Sequence, residues 1–410
     1  MKELKNHLIT VFLLIFCISV LFIANSIQRK NIKVKDNSQN LKSIIQENNI
    51  DTFCSKVAEQ INGPRIIMLG EQQHGDGETF SIKSKIINIL NKKFGYNIMF
   101  IEGSYFYNQQ LKNKINRSEL LNDYDWDKAL YEFWGKSNET KLLRNSFLSK
   151  DLDFYGIDYN FIVNGVLKDL SSFIDDHFMQ YPNYYKDDYL ELFETLDYKN
   201  GPLVLFNYLP KKPNQDKCLA QINKLKALIL KDDSFKKNKI DAFLTLENLY
   251  QFYYSRTKIA LSNMNAHRDS IMYKNIDFII SNLFQNNDKI IIWAANSHLV
   301  YNSNSSKYTS MGSLLKTKYK EDVFNVLFTS RKGITYNIAT QKNNYINITS
   351  INSLEYNLNI NQKKYIYGNF DNKNQTVTNM KFLGHQNRTA NWFKTMDSYI
   401  YIDTMKPITF

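Results

Sequence analysis

Short apolar runs punctuate the chain, and each closes on polar or acidic residues. Residues 65–69 read RIIML and break at Gly70; residues 96–101 read YNIMFI and end in Glu102 and Gly103. Residues 152–157 close on Asp158, and residues 289–294 lead into Ala295, Asn296, Ser297 and His298. Runs this short and this apolar predict strands buried on both faces. Between the first two, residues 79–94 place Phe80, Ile82, Ile86, Ile87 and Leu90 at helical spacing before a stop at Gly95, which predicts a helix. Strand, helix and strand in that order imply a right-handed crossover and a parallel pair. Residues 31–59 read as a polar linker and then a helix, with Leu41, Ile44 and Ile45 on its apolar face.

Further along, residues 105–150 look helical and are rich in aromatics (Trp126, Tyr131, Phe133, Trp134). Residues 164–265 carry a long, charged helical pattern broken near Pro182, Pro202, Pro210 and Pro213, which suggests an inserted helical subdomain. Its last helix continues through Arg268 and Asp269 toward Leu283. Residues 322–329 predict another strand. Beyond Gly333 the pattern alternates weakly among Asn and Tyr, and residues 398–403, SYIYID, read as an edge strand. The expected fold class is α/β: a parallel-type central sheet flanked by helices, with an inserted helical subdomain and a small C-terminal α+β part. The expected divisions are 1–28 (signal anchor or signal peptide), 29–40 (linker), 41–163 (first part of the core), 164–265 (helical insertion), 266–335 (second part of the core) and 336–410 (C-terminal segment).

Composition narrows the function classes. With 43% hydrophobic residues among 410, a packed core is expected rather than disorder. The net charge of +12 is spread among Asn- and Tyr-rich sequence instead of forming a basic stripe, and no nucleic-acid-binding motif occurs. No nucleic-acid partner is therefore expected. The cysteines, Cys17, Cys54 and Cys218, form no CxxC pair, so they give no metal-thiolate or redox signal. Lys2 and Lys5 precede an apolar run over residues 8–24, followed by Arg29, Lys30, Lys33 and Lys35. Seventeen helical residues reach roughly 26 Å, enough to span an untilted bilayer core. Ala24 and Ser26 also supply a cleavage pair, so an uncleaved anchor and a cleaved signal both fit. Either one implies a body that is membrane-anchored or exported.

The chemistry-bearing residues sit where the predicted strands end. The first leads to Glu71 and His74, the second to Glu102, the third to Asp158, and the later one to Asn296 and His298. In a parallel sheet these ends share one edge, where open α/β sheets hold their ligands. A histidine backed by a carboxylate suits general-base activation of water, with a second acid or histidine to orient it and a Lys or Arg to steady developing charge. Each residue also has a purely structural reading. Glu71 and His74 suit a helix start, Glu102 could be a buried acid bound by backbone amides, Asp158 a loop former, Arg268 and Asp269 surface charge, and His298 a core histidine. His7, His177, His267 and His385 show no partner pattern and read as incidental. A metal site competes in principle, yet no HExxH, HxH or DxD pair strengthens it. GxSxG, P-loop and GxGxxG patterns are absent.

These segments together resemble the erythromycin esterase family. Its GE-x-x-HG signature is matched by Gly70-Glu71-Gln72-Gln73-His74-Gly75, its basic helix residue by Lys83, and its strand-end glutamate by Glu102. Its RD-x-x-M segment is matched by Arg268-Asp269-Ser270-Ile271-Met272, and its WAHN-x-H strand end by Trp293-Ala294-Ala295-Asn296-Ser297-His298. The resemblance spans about residues 60–405, with Tyr155–Asp158, Met311-Gly312 and the closing MDSYIYID adding to it. It implies an ester or lactone hydrolase needing no cofactor, with a small-molecule substrate. His74 would be the water-activating base, Glu71 and Glu102 would orient and tune it, and His298 would support the site. Lys83, Asp158, Arg268, Asp269 and Asn296 would bind substrate or support. Ala295 stands where the family pattern has histidine, which argues for a substrate other than a macrolide. It also keeps open a non-catalytic, envelope-associated binding protein on the same fold, alongside a metal-dependent hydrolase.

Overall fold

Residues 66–69 are fully buried, with alternate side chains entering different halves of the core. Ile66 and Met68 pack in one hydrophobic cluster, Ile67 and Leu69 in the other. The same alternation holds for Ile290 and Ile292 against Ile291 and Trp293. Layers on both faces of the sheet explain why these strands read as unbroken apolar runs. The structure is a computed structural model that describes residues 41–161, 169–170, 172–174, 178, 215–231, 239–301, 308–347, 349–359, 362–370 and 378–410.

The strands are β1 (Leu41–Glu47), β2 (Ile66–Leu69), β3 (Tyr96–Ser104), β4 (Asp153–Asp158), β5 (Lys289–Trp293), β6 (Val323–Asn337), β7 (Lys342–Tyr345), β8 (Tyr365–Phe370), β9 (Thr378–Leu383), β10 (Gln386–Ala390) and β11 (Ser398–Met405). The main sheet runs β1-β8-β11-β6-β2-β5-β3-β4, and β7 adds to β6. From β11 to β4 every neighbouring pair is parallel, whereas β8, β1 and β7 are antiparallel additions. The parallel-type central sheet flanked by helices that the sequence pattern implied is present, and the antiparallel strands extend it. β9 and β10 form a separate hairpin.

Helices cover the faces. They include α1 (Ile50–Ile61), α2 (Gly77–Phe94), α3 (Tyr105–Asn116), α4 (Asp123–Gly135), α5 (Lys141–Leu148), α6 (Gln215–Lys231), α7 (Lys239–Lys258) and α8 (Met264–Leu283), and three further helices follow β5 (Asn296–Leu299, Met311–Tyr319 and Leu354–Leu358). Helix α2 buries Phe80, Ile82, Ile86 and Leu90 in the cluster of Ile67 and Leu69, while α8 buries Met272, Ile276 and Ile279 in that of Ile66 and Met68. Each such side chain contributes about 1.5–3 kcal/mol by leaving water. Gly95 ends α2 at φ +74°, its N–H returning to the Leu90 carbonyl. Helices α6 and α7 lie within the expected helical insertion. Pro182, Pro202, Pro210 and Pro213 lie outside the described residues.

Three expectations are corrected. Residues 41–47 form an extended strand, paired antiparallel with β8 from Leu41↔Phe370 to Glu47↔Tyr365, and the helix starts only after the Asn49 cap. The helix-like spacing of Leu41, Ile44 and Ile45 yields to sheet pairing. Residues 398–405 are an interior strand, held by β6 on one side and β8 on the other, with Tyr399 and Tyr401 fully buried. The membrane-spanning helix is also corrected: among the described residues no helix is long and apolar enough to cross a membrane. Residues 8–24, on which that expectation rested, lie outside the described residues.

Candidate active site

The loop after β2 is clamped before any side chain is considered. Gly70 N–H donates to the Val326 carbonyl, and the Glu71 carbonyl accepts from Asn296 N–H at 2.8 Å. The Gly75 carbonyl accepts from both Tyr336 and Ile408. A Cβ on Gly75 would stand 1.7 Å from the Tyr336 carbonyl oxygen, so only glycine lets the loop lie this close to β6. The loop then enters α2, bringing His74 and Lys83 to opposite sides of Glu71.

Glu71 is fully buried and fully used. Its Oε1 lies 2.7 Å from His74 Nδ1, and its Oε2 accepts from Lys83 Nζ at 2.9 Å and from the Trp293 indole N–H at 2.6 Å. A carboxylate only accepts, so the proton of a neutral His74 sits on Nδ1 and Nε2 keeps its lone pair. The His74 side chain is 31% exposed and lines the main cavity. Its ring stacks on Phe133 at 4.9 Å and meets Trp134 edge-on at 5.1 Å. These rings arrive through a break in α4 at Tyr131, where φ is +57°. Such a conformation is costly for an aromatic residue and persists only where surrounding structure enforces it.

Glu102 lies in an irregular stretch of β3 where the pairing register with β4 shifts between Ile101 and Ser104. Such irregularities re-aim side chains. Its Oε2 accepts from Ala295 N–H at 2.8 Å; its Oε1 accepts from Arg268 Nη2 at 2.8 Å and lies 3.2 Å from His298 Nε2 and 3.9 Å from His74 Nε2. Arg268 also donates to Asp158 Oδ2 through Nη2 at 2.6 Å and Nε at 3.0 Å. His298 Nδ1 meets Asp269 Oδ1 at 2.5 Å, and Asp269 Oδ2 accepts from Met311 N–H. His74 and His298, more than two hundred residues apart, thus flank one glutamate.

The electrostatics divide the two histidines. Burial opposes charge on His298, but Asp269 and Glu102 outweigh it and lift its pKa to about 10, so it is an imidazolium at neutral pH. Burial likewise opposes charge on His74, and the hydrogen bond to Glu71 with the nearby Glu102 charge raises its pKa from 6.5. Burial would raise Glu102, yet His298 and Arg268 hold its carboxyl well below the usual range. Burial lowers Lys83 to about 8 against the pull of Glu71. Glu71 pairs with His74 and Lys83, Asp158 and Glu102 with Arg268, and Asp269 with His298, so each acid of the site has a basic partner.

Of the residues expected to bind substrate or support the site, none of Lys83, Asp158, Arg268, Asp269 and Asn296 is among the described residues that line the cavity. Lys83 is wholly buried beneath Glu71, 3.9 Å from the Trp293 ring centre, and does not line the cavity. Asn296 clamps backbone instead: Nδ2 donates to the Phe328 and Phe382 carbonyls and Oδ1 accepts from Phe328 N–H. Sequence reasoning missed Trp293, Phe133, Trp134 and the backbone donors of Ala295 and Met311. It also passed over His385, which pairs with Asp76. Among the described residues no group of three His, Cys, Asp or Glu side chains is arranged to hold a metal ion.

The cavity in front of His74 measures about 720 Å³. Its wall carries amides, hydroxyls and two tyrosines, among them Gln73, Asn265, Tyr308 and Tyr336, with Arg388 as its one lysine or arginine and no carboxylate among the described lining residues. Ala295 lines it too.

The erythromycin esterase family model matches residues 92–398, a span that includes Glu102, Asp158, Arg268, Asp269, Asn296 and His298 and begins after Glu71, His74 and Lys83. No curated protein matches the chain. Among solved structures, a Bacillus cereus protein is similar with TM-score 0.72 and 16% identity over 92% of this chain and 97% of that one. A succinoglycan biosynthesis protein is similar with TM-score 0.71 and 14% identity over 92% and 97%. A mutant of the erythromycin esterase EreC in its open conformation is similar with TM-score 0.61 and 16% identity over 86% and 93%. At such identities the likeness is one of fold. The family match, which covers most of the sequence, decides the affiliation: this chain belongs to the erythromycin esterase family.

Proposed function

We propose that the protein hydrolyses a carboxylic ester or lactone by direct attack of water, with His74 as general base. The observation that carries this reading is the 2.7 Å contact between His74 Nδ1 and Glu71, which leaves Nε2 as the acceptor beside Glu102. A water about 2.8 Å from Nε2 gives its proton to that nitrogen as its oxygen bonds to the ester carbonyl. The resulting tetrahedral oxyanion collapses, the C–O bond to the leaving group breaks, and the imidazolium returns the proton to the departing alkoxide. Glu71 and Glu102 stabilise the transient His74 cation. Lys83 and Trp293 fix Glu71, whereas Arg268, His298 and the Ala295 N–H fix Glu102. Asp158 and Asp269 hold Arg268 and His298 in turn.

The cavity wall favours a hydroxyl-rich ester or lactone that is neutral or anionic, since amides and hydroxyls line it and Arg388 is its basic side chain. In keeping with Ala295, the substrate is distinct from erythromycin. Export of the body belongs to the same proposal and rests on Lys2, Lys5 and the apolar residues 8–24. The test is a panel of esters and lactones with the purified protein. His74→Ala should abolish turnover, and an unimpaired variant would remove the assignment. Ala295 also favours a second reading, a binding protein without turnover. Ligand binding by both proteins with hydrolysis by neither would support it.

A further inference from the structure

The hairpin of β9 and β10 turns through Gly384 and His385, both with positive φ, +61° and +57°. This is the two-residue mirror-image turn that glycine and asparagine usually fill. A residue other than glycine is uncommon there, though histidine tolerates it, and the His385 side chain is not directed to solvent but is nearly wholly buried. Its Nε2 lies 2.8 and 3.0 Å from the two carboxylate oxygens of Asp76, and its Nδ1 lies 3.2 Å from Ser330 Oγ.

Asp76 is unusual in its own right. It occupies the N-cap position of α2, yet its side chain makes no capping hydrogen bond. Instead Oδ2 accepts from Gln73 N–H at 3.0 Å, which closes the 73–76 turn around His74. The hairpin grips the same turn at two more points: Gln72 Nε2 donates to the Lys381 carbonyl and Gln73 Nε2 to that of Gly384. Ser330, His385 and Asp76 resemble a nucleophilic relay in composition. Ser330 is fully buried within β6, however, and no substrate carbonyl can reach its Oγ.

Building on the hydrolase reading, we propose that His385 is a positioning residue, which holds Asp76 so that the 73–76 turn presents His74 to Glu71 at hydrogen-bonding distance. The outward side of the hairpin supplies Leu383, Gly384, Gln386 and Arg388 to the cavity. One element therefore both shapes the substrate's space and fixes the base.

The test uses His385→Asn, which suits the left-handed turn but is too short to keep the Asp76 contact, and His385→Gln, which restores an amide donor with more reach. Two readouts are taken: hydrolysis of p-nitrophenyl acetate and the NMR titration midpoint of the His74 ring. His385→Asn should lower kcat about 10- to 100-fold, leave KM within about threefold, and move the His74 midpoint down toward 6.5 as its bond to Glu71 loosens. His385→Gln should recover much of kcat. A folded His385→Asn protein with unchanged kcat and an unmoved His74 midpoint would overturn the proposal. If that variant does not fold, Asp76→Asn is read in the same way, with a smaller drop expected. If the wild type cleaves no ester, the hydrolase reading fails, while the His74 midpoint still decides whether His385 positions the ring.

Discussion

Replacing Glu71 with glutamine should disable the site through the tautomer of His74, and the structure shows why. Lys83 and the Trp293 indole can only donate, and both aim at Glu71 Oε2. In Glu71→Gln the amide oxygen must therefore turn toward them, so the amide NH₂ faces His74 Nδ1. Nδ1 is then the acceptor and the proton moves to Nε2, which can no longer take one from water. The loss should be that of a general base, about 10²–10⁴-fold in kcat. A second cost is structural: Lys83 has no exposed side-chain surface and loses its counter-charge. Removing one partner of a buried pair costs about 3–5 kcal/mol, less here because Lys83, already pushed down to about 8, can shed its proton. The double variant Glu71→Gln, Lys83→Met should regain stability in thermal melts and none of the activity. Steady-state ester hydrolysis and calorimetry of both variants give the comparison. A Glu71→Gln enzyme within threefold of wild-type kcat, or a double variant that recovers turnover, would refute the tautomer argument.

Other outcomes follow from the same contacts. His298 is charged in the fold up to about pH 10 and would lose its proton near 6.5 when unfolded, so its contribution is complete below 6.5 and declines as pH rises toward 10. Lys83 and Lys381, both pushed down to about 8, act in the opposite sense above that pH. Stability should therefore fall between about pH 6.5 and 8, by at most about 1.4 kcal/mol per unit for each such proton, and His298→Asn should flatten that slope in melts. Asn296→Ala strands two buried carbonyls and an N–H and should cost about 2–4 kcal/mol; a melt within a degree of wild type would contradict the clamp. Chelator should leave hydrolysis unchanged, because every carboxylate oxygen of Glu71 and Glu102 already has a partner; inhibition reversed by a divalent ion would argue for metal chemistry.

How far the sequence could be read depended on whether local pattern and tertiary context agreed. Residues 66–69 and 289–293 were legible because burial on both faces leaves an unbroken apolar run. Residues 41–47 were not, since three apolar side chains at helical spacing say nothing of a distant strand waiting to pair. SYIYID reads as an edge strand, but strands pair with it on both sides, and Tyr399 and Tyr401 pack into the core on one face while Ile400 and Ile402 pack on the other. Within the site, the meeting of Glu71, His74, Glu102, Asp158 and His298 could be anticipated, because parallel strands deliver their ends to one edge. The groups that tune them could not. The Ala295 and Met311 donors are backbone, and an indole N–H in an apolar strand looks like core. His385 sits in a turn with no motif around it, and only the fold brings it to Asp76.

The most direct test of water activation by His74 is one buffer series read in two ways. The kcat/KM of ester hydrolysis and the NMR titration of the His74 ring are followed across the same pH range. A base must be neutral to act, so the rate should rise through a single midpoint above 6.5, and the ring should titrate at that same midpoint. A rate that is flat through the ring's titration, or that rises at a different pH, would mean that His74 does not activate the water.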